Sequence, residues 1–297
     1  MNAPKVWTVM ELLRYTAEYL GEKGFHNARL NGELLLSGVL GVKRLDLYLQ
    51  FDRPLKPEEL AEFKGRLLRR AKREPLQYIE GEAHFRDLRL RVDPRVLIPR
   101  PETEQLVQRV LDWAAARPGL AAADVGTGSG AIALALATEG PFERVVATDV
   151  EPGALEAARA NHALAAPGAP VEFRLGDGLA PLAGERFDVL VSNPPYVAHA
   201  ERASLATEVR DWEPATALFA GDDGLEVIRR IVAGAPSVLN PGGLLALEIG
   251  EGQGAAVAEL VRAAGGFGAP RVEKDLAGRD RMVLAELETS TEQHGWK

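Results

Sequence analysis

The run Val189-Leu190-Val191-Ser192-Asn193-Pro194-Pro195-Tyr196-Val197 gathers side chains able to do chemistry at a single corner. Three apolar β-formers lead into an Asn, two prolines and a Tyr, the pattern of a buried strand that stops at a rigid turn. Proline lacks an N–H, fixes its own φ and drives the preceding residue into an extended conformation. Asn193 is therefore expected just beyond the strand end. Its side-chain carbonyl, and the main-chain carbonyls of Ser192, Asn193 and Pro194, are then free to accept hydrogen bonds. Such acceptors suit a planar –NH2 group. Two of them take its hydrogens, Tyr196 lies on its face, and the nitrogen lone pair is left one direction.

A second constellation, Asp124-Val125-Gly126-Thr127-Gly128-Ser129-Gly130-Ala131, follows an apolar run and opens a helical pattern. Glycines there permit positive φ and close backbone approach to a ligand, at the carboxyl end of a strand where α/β sheets bind ligands. The turn also meets the loose dinucleotide pattern G-x-G-x-x-G/A. Asp149 ends the next apolar run, about 20 residues on, where a carboxylate can accept both hydroxyls of a ribose. That suits NAD and the adenosine of S-adenosylmethionine alike. Asp177, in Leu175-Gly176-Asp177-Gly178, ends a third run, where an acid can accept from the exocyclic amine of adenine; taken alone it reads as a turn residue. Asn193 separates the two cofactors. Hydride transfer needs a proton donor or acceptor near the nicotinamide, and nothing in N-P-P-Y serves. Methyl transfer to an amide or amine needs oriented acceptors beside the sulfonium. The expected cofactor is S-adenosyl-L-methionine, with S-adenosyl-L-homocysteine as product.

These residues need strand ends to hold them. Strands are predicted at 120–125, 144–149, 171–175, 187–192, 243–249, about 270–275 and 281–287, and helices at roughly 130–138, 152–163, 224–238 and 253–265. The alternation implies an α/β fold, a mostly parallel sheet with helices on both faces. Ahead of it, Tyr78, Ile79, Phe85, Leu88, Leu90 and Val92 form short β-like runs, read as a hairpin connector over 76–98. Ile98-Pro99-Arg100-Pro101-Glu102-Thr103-Glu104 is a stiff loop before a helix expected at 105–116. Glu102 or Thr103 would cap that helix, and the loop is placed to form one wall of a ligand pocket. Residues 8–73 read as helical. Thr8 caps a first helix that ends at Gly21, a second covers about 28–40 before Gly41, and a third runs from Pro57 to about Arg73. Lys64, Arg66, Arg69, Arg70, Lys72 and Arg73 on the third helix are either a solvated face or a grip on an acidic or nucleic-acid-associated partner; no stacking aromatics interleave them. The division expected is 1–75 helical, 76–98 linker, 99–288 catalytic and 289–297 tail.

Composition narrows the choices. The 297 residues contain no Cys, which excludes disulfides, thiolate metal ligands and a Cys nucleophile. His26, His84, His162, His199 and His294 lack metal-ligand spacing, and no metal is expected. No signal peptide is read, and the most apolar stretch, 120–138, carries Asp124 and the glycine turn, so no membrane span is expected and a cytoplasmic location is. Residues 1–75 hold 14 Lys and Arg against 10 Asp and Glu, and the remainder 21 against 33. A basic head on an acidic body points to a macromolecular partner without naming one. Asp211 and Glu213 read as loop caps, and Glu248 ends a strand with no role assigned.

Taken together, I-P-R-P-E-T-E (98–104), D-V-G-T-G-S-G-A-I-A-L-A-L-A (124–137), T-D-V (148–150), S-N-P-P-Y (192–196), R-D-W-E-P-A-T-A-L-F-A-G-D-D-G-L (210–225) and N-P-G-G-L-L-A-L-E-I-G (240–250) resemble the PrmC/HemK family of peptide-chain release factor glutamine N5-methyltransferases. The resemblance runs over essentially the whole chain. It implies a class I, Rossmann-like seven-stranded methyltransferase sheet whose last strand is antiparallel, preceded by a helical substrate-recognition domain. It implies that Gly126, Thr127, Gly128, Ser129, Gly130 and Asp149, with Asp177, Gly178 and Asn193, hold the cofactor. Asn193 would contact the reacting amide, and Pro194, Pro195 and Tyr196 would complete its pocket. The implied substrate is the Gln of a Gly-Gly-Gln motif in a release factor, the partner, with a monomeric enzyme and no direct nucleic acid. Family members can carry an aromatic after the acid matching Asp177, whereas this chain has Gly178, which cannot stack on adenine. Three rival readings are a nucleic-acid adenine N6-methyltransferase, a methyltransferase for Gln in a ribosomal protein, and a non-catalytic ribosome-associated module. The first needs a basic groove for base flipping, which the acidic body opposes; the second turns on the helical head; the third is opposed by intact Asn193, Asp149 and glycine turn.

Overall fold

Thr8 starts the first helix as its residue type predicts. Its hydroxyl accepts the amide of Glu11 at 3.3 Å, and the Glu11 carboxylate accepts the amide of Thr8 at 2.9 Å, a reciprocal cap worth about 1 kcal/mol. In the computed structural model, which describes residues 6–289, this helix is α1 (Val9–Glu22). His294 and the expected tail from Ser290 on lie outside the described residues. Helix α2 (Ala28–Leu40) ends at Gly41, whose φ of 63° takes the left-handed conformation that glycine adopts without strain. A four-residue turn α3 (Asp46–Leu49) and α4 (Pro57–Ala71) follow, the latter with proline at its first position. Tyr78 and Ile79 correct the expectation of strand. They are buried on α5 (Leu76–Glu80), because a short apolar run carries no period that separates helix from strand. Leu12, Leu20, Leu35, Leu36, Phe63 and Leu67 sit at the centre of this helical unit's own core.

The division of the chain differs from a simple head and body. Among the described residues, one compact unit holds residues 6–81 together with Thr207–Trp212; the other holds Glu82–Ala206 and residues 213–289. The second unit begins with a hairpin, β1 (Glu82–Phe85) against β2 (Leu88–Arg91), shorter than the 76–98 connector expected. Helix α6 (Pro101–Ala114) starts four residues early, capped at Arg100 rather than at Glu102 or Thr103. Proline's fixed φ suits the first helical position, and Glu102 and Glu104 favour the first turn. Then come β3 (Leu120–Val125), α7 (Ala131–Glu139), β4 (Phe142–Asp149), α8 (Pro152–Ala165), β5 (Val171–Leu175) and β6 (Phe187–Ser192). Helix α9 (Thr207–Trp212) is the piece that belongs to the helical unit, and α10 (Glu226–Val238), β7 (Leu239–Glu248), α11 (Gly254–Ala264), β8 (Arg271–Lys274) and β9 (Asp280–Glu286) complete the chain.

Seven strands pair in the order β5-β4-β3-β6-β7-β9-β8, all parallel except β9, which runs antiparallel to both neighbours. Adjacent residues face opposite layers, as strand geometry requires. Val145, Val189 and Leu244 pack with α6 and α7, and Val146, Leu190 and Leu245 pack with α10 and α11. The sequence of connections reverses between β3 and β6, and at that switch point a doubly wound sheet leaves a crevice above its strand ends.

Within the helical unit, the basic face of α4 is narrower than its sequence implies. Arg66 bonds Glu62 and Glu80, Arg69 bonds Glu74, and Arg70 and Arg73 both reach Glu208 of α9. Arg70 and Arg73 also lie over the Phe25 ring, 4.3 and 4.0 Å from its centre. Four of the six cations are thus spent inside the unit, so neither a fully solvated face nor a six-charge grip describes it.

Candidate active site

A cavity of about 400 Å³ occupies the crevice above β3, β4 and β6. On one bank lies the glycine turn. Gly126 and Gly128 have φ of 75° and 56°, and nothing stands within 4 Å of where a Cβ would project from either. Side chains there would be strained and would project into open space, so glycine leaves bare backbone lining the cavity. Gly130 plays a different part. At φ 85° it caps α7, and a Cβ on it would crowd Ala158 and Leu134 at 3.3 Å. Thr127 donates its hydroxyl to Asp124 at 2.7 Å, and the buried Ser129 accepts from Asn161 through its carbonyl at 2.9 Å. Asp124 is fully buried, and desolvation raises its carboxyl to about 7. Asp149 ends β4 with its carboxylate accepting the amides of Gly128 and Glu151, both at 2.9 Å. Burial raises its pKa, and the residue lines the cavity.

At the rim, Asp177 and Gly178 line the cavity, and Arg230 of α10 donates to Asp177 at 2.5 Å. That partner is invisible to sequence reasoning, being 53 residues away. Gly178 offers no ring, and the cavity's apolar lining includes Val150, Val227, Ile231 and the aromatic Phe219.

The opposite bank is the N-P-P-Y corner. Asn193, Pro194 and Pro195 line the cavity, and the Ser192 hydroxyl ties the end of β6 to the Val125 carbonyl at 2.6 Å. Tyr196 is not among the lining residues. Its ring rests on the β6–β7 core, its carbonyl accepts from Gln253 at 3.0 Å, and a Cβ on Gly224 would collide with that carbonyl. Its hydroxyl donates to Glu248 at 3.3 Å, and burial beside that carboxylate pushes the phenol pKa up. Glu248 also accepts the Thr103 hydroxyl at 2.6 Å, and Asn193 Nδ2 donates to Thr103 Oγ1 at 3.0 Å. Desolvation raises Glu248 to about 7. Thr103, read as a cap candidate within the loop expected to form a wall, is itself a wall residue. The loop before it is a wall as well, since Pro99 and Arg100 line the cavity. Arg100 donates twice to the buried Glu213, at 2.7 and 2.6 Å, so Glu213 braces that loop rather than capping its own. Asp211 pairs with Arg210 on α9, in the other unit. His199 stacks on Phe219, and among the described residues no group of three His, Asp or Glu side chains is arranged to hold a metal. Nor is any described helix long and apolar enough to cross a membrane.

The seven-stranded sheet with β9 reversed, and a crevice with a glycine turn on one bank and N-P-P-Y on the other, define a class I methyltransferase. Residues 103–210 match the methyltransferase small domain, and residues 11–81 the PrmC N-terminal domain. Among solved structures, the chain is similar to the catalytic domain of hMettl16 in complex with a 3′UTR hairpin (TM-score 0.54, 18% identity, covering 80% of this chain and 84% of that one). It is similar too to a methyltransferase from Pyrococcus furiosus (TM-score 0.50, 20% identity, 68% and 90% covered). Those likenesses speak to fold. A release factor glutamine methyltransferase from Geobacter sulfurreducens is 47% identical over 94% of this chain and 97% of its own. One from Moorella thermoacetica is 43% identical over 94% and 98%. The chain belongs to the release factor glutamine methyltransferase family.

Proposed function

We propose that the protein transfers a methyl group from S-adenosyl-L-methionine to the side-chain amide nitrogen of the Gln in a release factor's Gly-Gly-Gln motif. The observation that carries this reading is the meeting of bare glycine backbone, the Asp149 carboxylate and the Asn193–Pro194 acceptors in one cavity. The cavity's volume falls within the usual range for a small-ligand site. In this reading Gly126, Gly128 and Asp149 hold the cofactor's ribose and amino-acid portions, and Asp177 with Gly178 borders its base. Bound there, the cofactor supplies an electrophilic methyl on a sulfonium.

The rest of the chemistry belongs to the chain. An amide nitrogen is a poor nucleophile because its lone pair is delocalised into the carbonyl. Asn193 Oδ1 and the Pro194 carbonyl accept the two N–H hydrogens and turn the lone pair toward the methyl. They also stabilise the positive charge that develops on nitrogen, the positioning and preorganised-dipole effects that supply several kcal/mol. An N-alkylated, positively charged amide is strongly acidic, so its proton leaves without a dedicated base. Pro194 and Pro195 keep the acceptors rigid, and Tyr196 braces the wall behind them. The helical unit, matching the PrmC N-terminal domain, recognises the release factor, and the enzyme acts as a cytoplasmic monomer without binding nucleic acid directly.

The test is transfer of labelled methyl to a purified release factor, beside a factor with Gln→Ala in the Gly-Gly-Gln motif and a DNA control. Label on the unmodified factor alone is the expected result. Label on DNA, or on the Gln→Ala factor, overturns the reading.

A further inference from the structure

Asn193 carries two chemically opposite ends, and only one of them suits an –NH2 substrate. The Oδ1 end accepts, whereas an amide nitrogen turned to the cavity would oppose donor to donor. Rotation of the side-chain amide by half a turn exchanges the two ends, and the amide's shape alone does not choose between them. The choice is made by neighbours. Above its pKa of about 7 Glu248 is a carboxylate that can only accept, so it takes the hydroxyl hydrogen of Thr103 at 2.6 Å. Thr103 has then spent its one donor and faces Asn193 with lone pairs, so the atom of Asn193 that meets it at 3.0 Å must be Nδ2. The Tyr196 hydroxyl donates to the other Glu248 oxygen at 3.3 Å, which holds the carboxylate against rotation. Thr103 and Glu248 are both buried, which limits the water that can compete for the Thr103 hydroxyl.

We propose that Thr103 and Glu248 are positioning residues that lock the amide of Asn193 with Oδ1 toward the substrate. Neither touches the reacting atoms; both act through Asn193. The inference rests on the proposed amide methylation, since it assumes that Oδ1 is the atom the substrate needs. It gives the I-P-R-P-E-T-E loop a part in the reaction beyond forming a wall, through the one hydroxyl that its helix turns inward.

The test compares Thr103→Val, which keeps the side-chain shape and removes the hydroxyl, with Thr103→Ser, which keeps the hydroxyl. Thr103→Val should lower kcat on release factor by about 10²-fold, the scale on which misplacing a reacting group costs rate. KM for release factor and Kd for S-adenosylmethionine should stay within about threefold. Thr103→Ser should stay within about threefold of the wild-type kcat. Combined with Asn193→Ala, Thr103→Val should add nothing, because it has no amide left to orient. A Thr103→Val kcat near wild type, or a multiplicative loss on the Asn193→Ala background, overturns the proposal. Glu248→Gln decides the matter if Thr103→Val does not fold. Its amide can either accept from or donate to Thr103, so it should cost about tenfold in kcat, and a wild-type kcat again overturns the proposal. Failure of the underlying reading would look different: wild-type enzyme would leave the release factor unlabelled.

Discussion

On the glycine bank of the cavity, Asp124 is held by the Thr127 hydroxyl and the Ala133 amide, 3 and 9 residues along the chain. On the corner bank, Glu248 is held by Thr103 and Tyr196, 145 and 52 residues away. Both acids are buried and both are raised by desolvation to about 7. The first lies inside one strand–turn–helix unit, so its geometry follows from a short segment that folds as a piece. The second exists only when α6, β6 and β7 have docked. A bank built locally is suited to gripping a cofactor in one way. A bank built from three elements ties a buried acid through Thr103 to the Asn193 amide, which in the proposed reading meets the substrate.

The comparison predicts that damage on the two banks separates by kinetic constant. Asn193→Ala should give the largest effect, a fall in kcat of about 10³-fold, as when a preorganised group facing developing charge is removed. Its cofactor Kd, read by calorimetry, should rise no more than severalfold. An unchanged kcat would break the division. Asp149→Ala should act the other way. Losing a charge-assisted acceptor should weaken the cofactor Kd by about 10- to 100-fold, while kcat at saturating cofactor stays within about threefold. A collapse of kcat with unchanged Kd would show that the glycine bank also sets the chemistry.

Tyr196 sharpens the contrast on the corner side. Its ring fills space behind the corner and its hydroxyl makes one hydrogen bond. Tyr196→Ala should therefore lower kcat by about tenfold or more. Tyr196→Phe should lower it only severalfold, in line with the 0.5–1.5 kcal/mol net worth of one hydrogen bond. Equal losses in the two variants would mean that the hydroxyl carries the whole effect.

The smallest predicted effect is one of stability. Glu248 rises from an ordinary 4.5 to about 7 on folding, with Arg281 and the hydroxyls of Thr103 and Tyr196 opposing the desolvation and Glu102 adding to it. Between about pH 4.5 and 7 the native protein therefore holds a proton that the unfolded chain has shed, so this group makes stability fall as pH rises through that window. Asp124 acts in the same direction from 3.8 upward. Denaturant melts of Glu248→Gln at pH 5, 6 and 7 should show a flatter profile than wild type, with the slope due to Asp124 remaining. Parallel profiles would show that Glu248 titrates alike in both states.

The chain by itself determined the catalytic sheet almost strand for strand, because continuous apolar runs bounded by glycine and proline leave little choice of element. It also placed the glycine turn, Asp149 and Asn193 at strand ends, since those motifs are local and their geometry is dictated by φ preferences within a few residues. The short elements escaped it. The fold buries Tyr78 and Ile79 on a helix because five residues carry no decisive period. Three site features were decided only by tertiary structure, each for the same reason: partners distant in sequence leave no local pattern. Arg230 meets Asp177 across the rim, Arg100 meets Glu213 across the wall, and Thr103 turns inward to join Glu248 to Asn193. Tyr196 belongs with them. Its type placed it at the corner, but the carboxylate waiting on β7 drew its hydroxyl behind the wall instead of into the cavity.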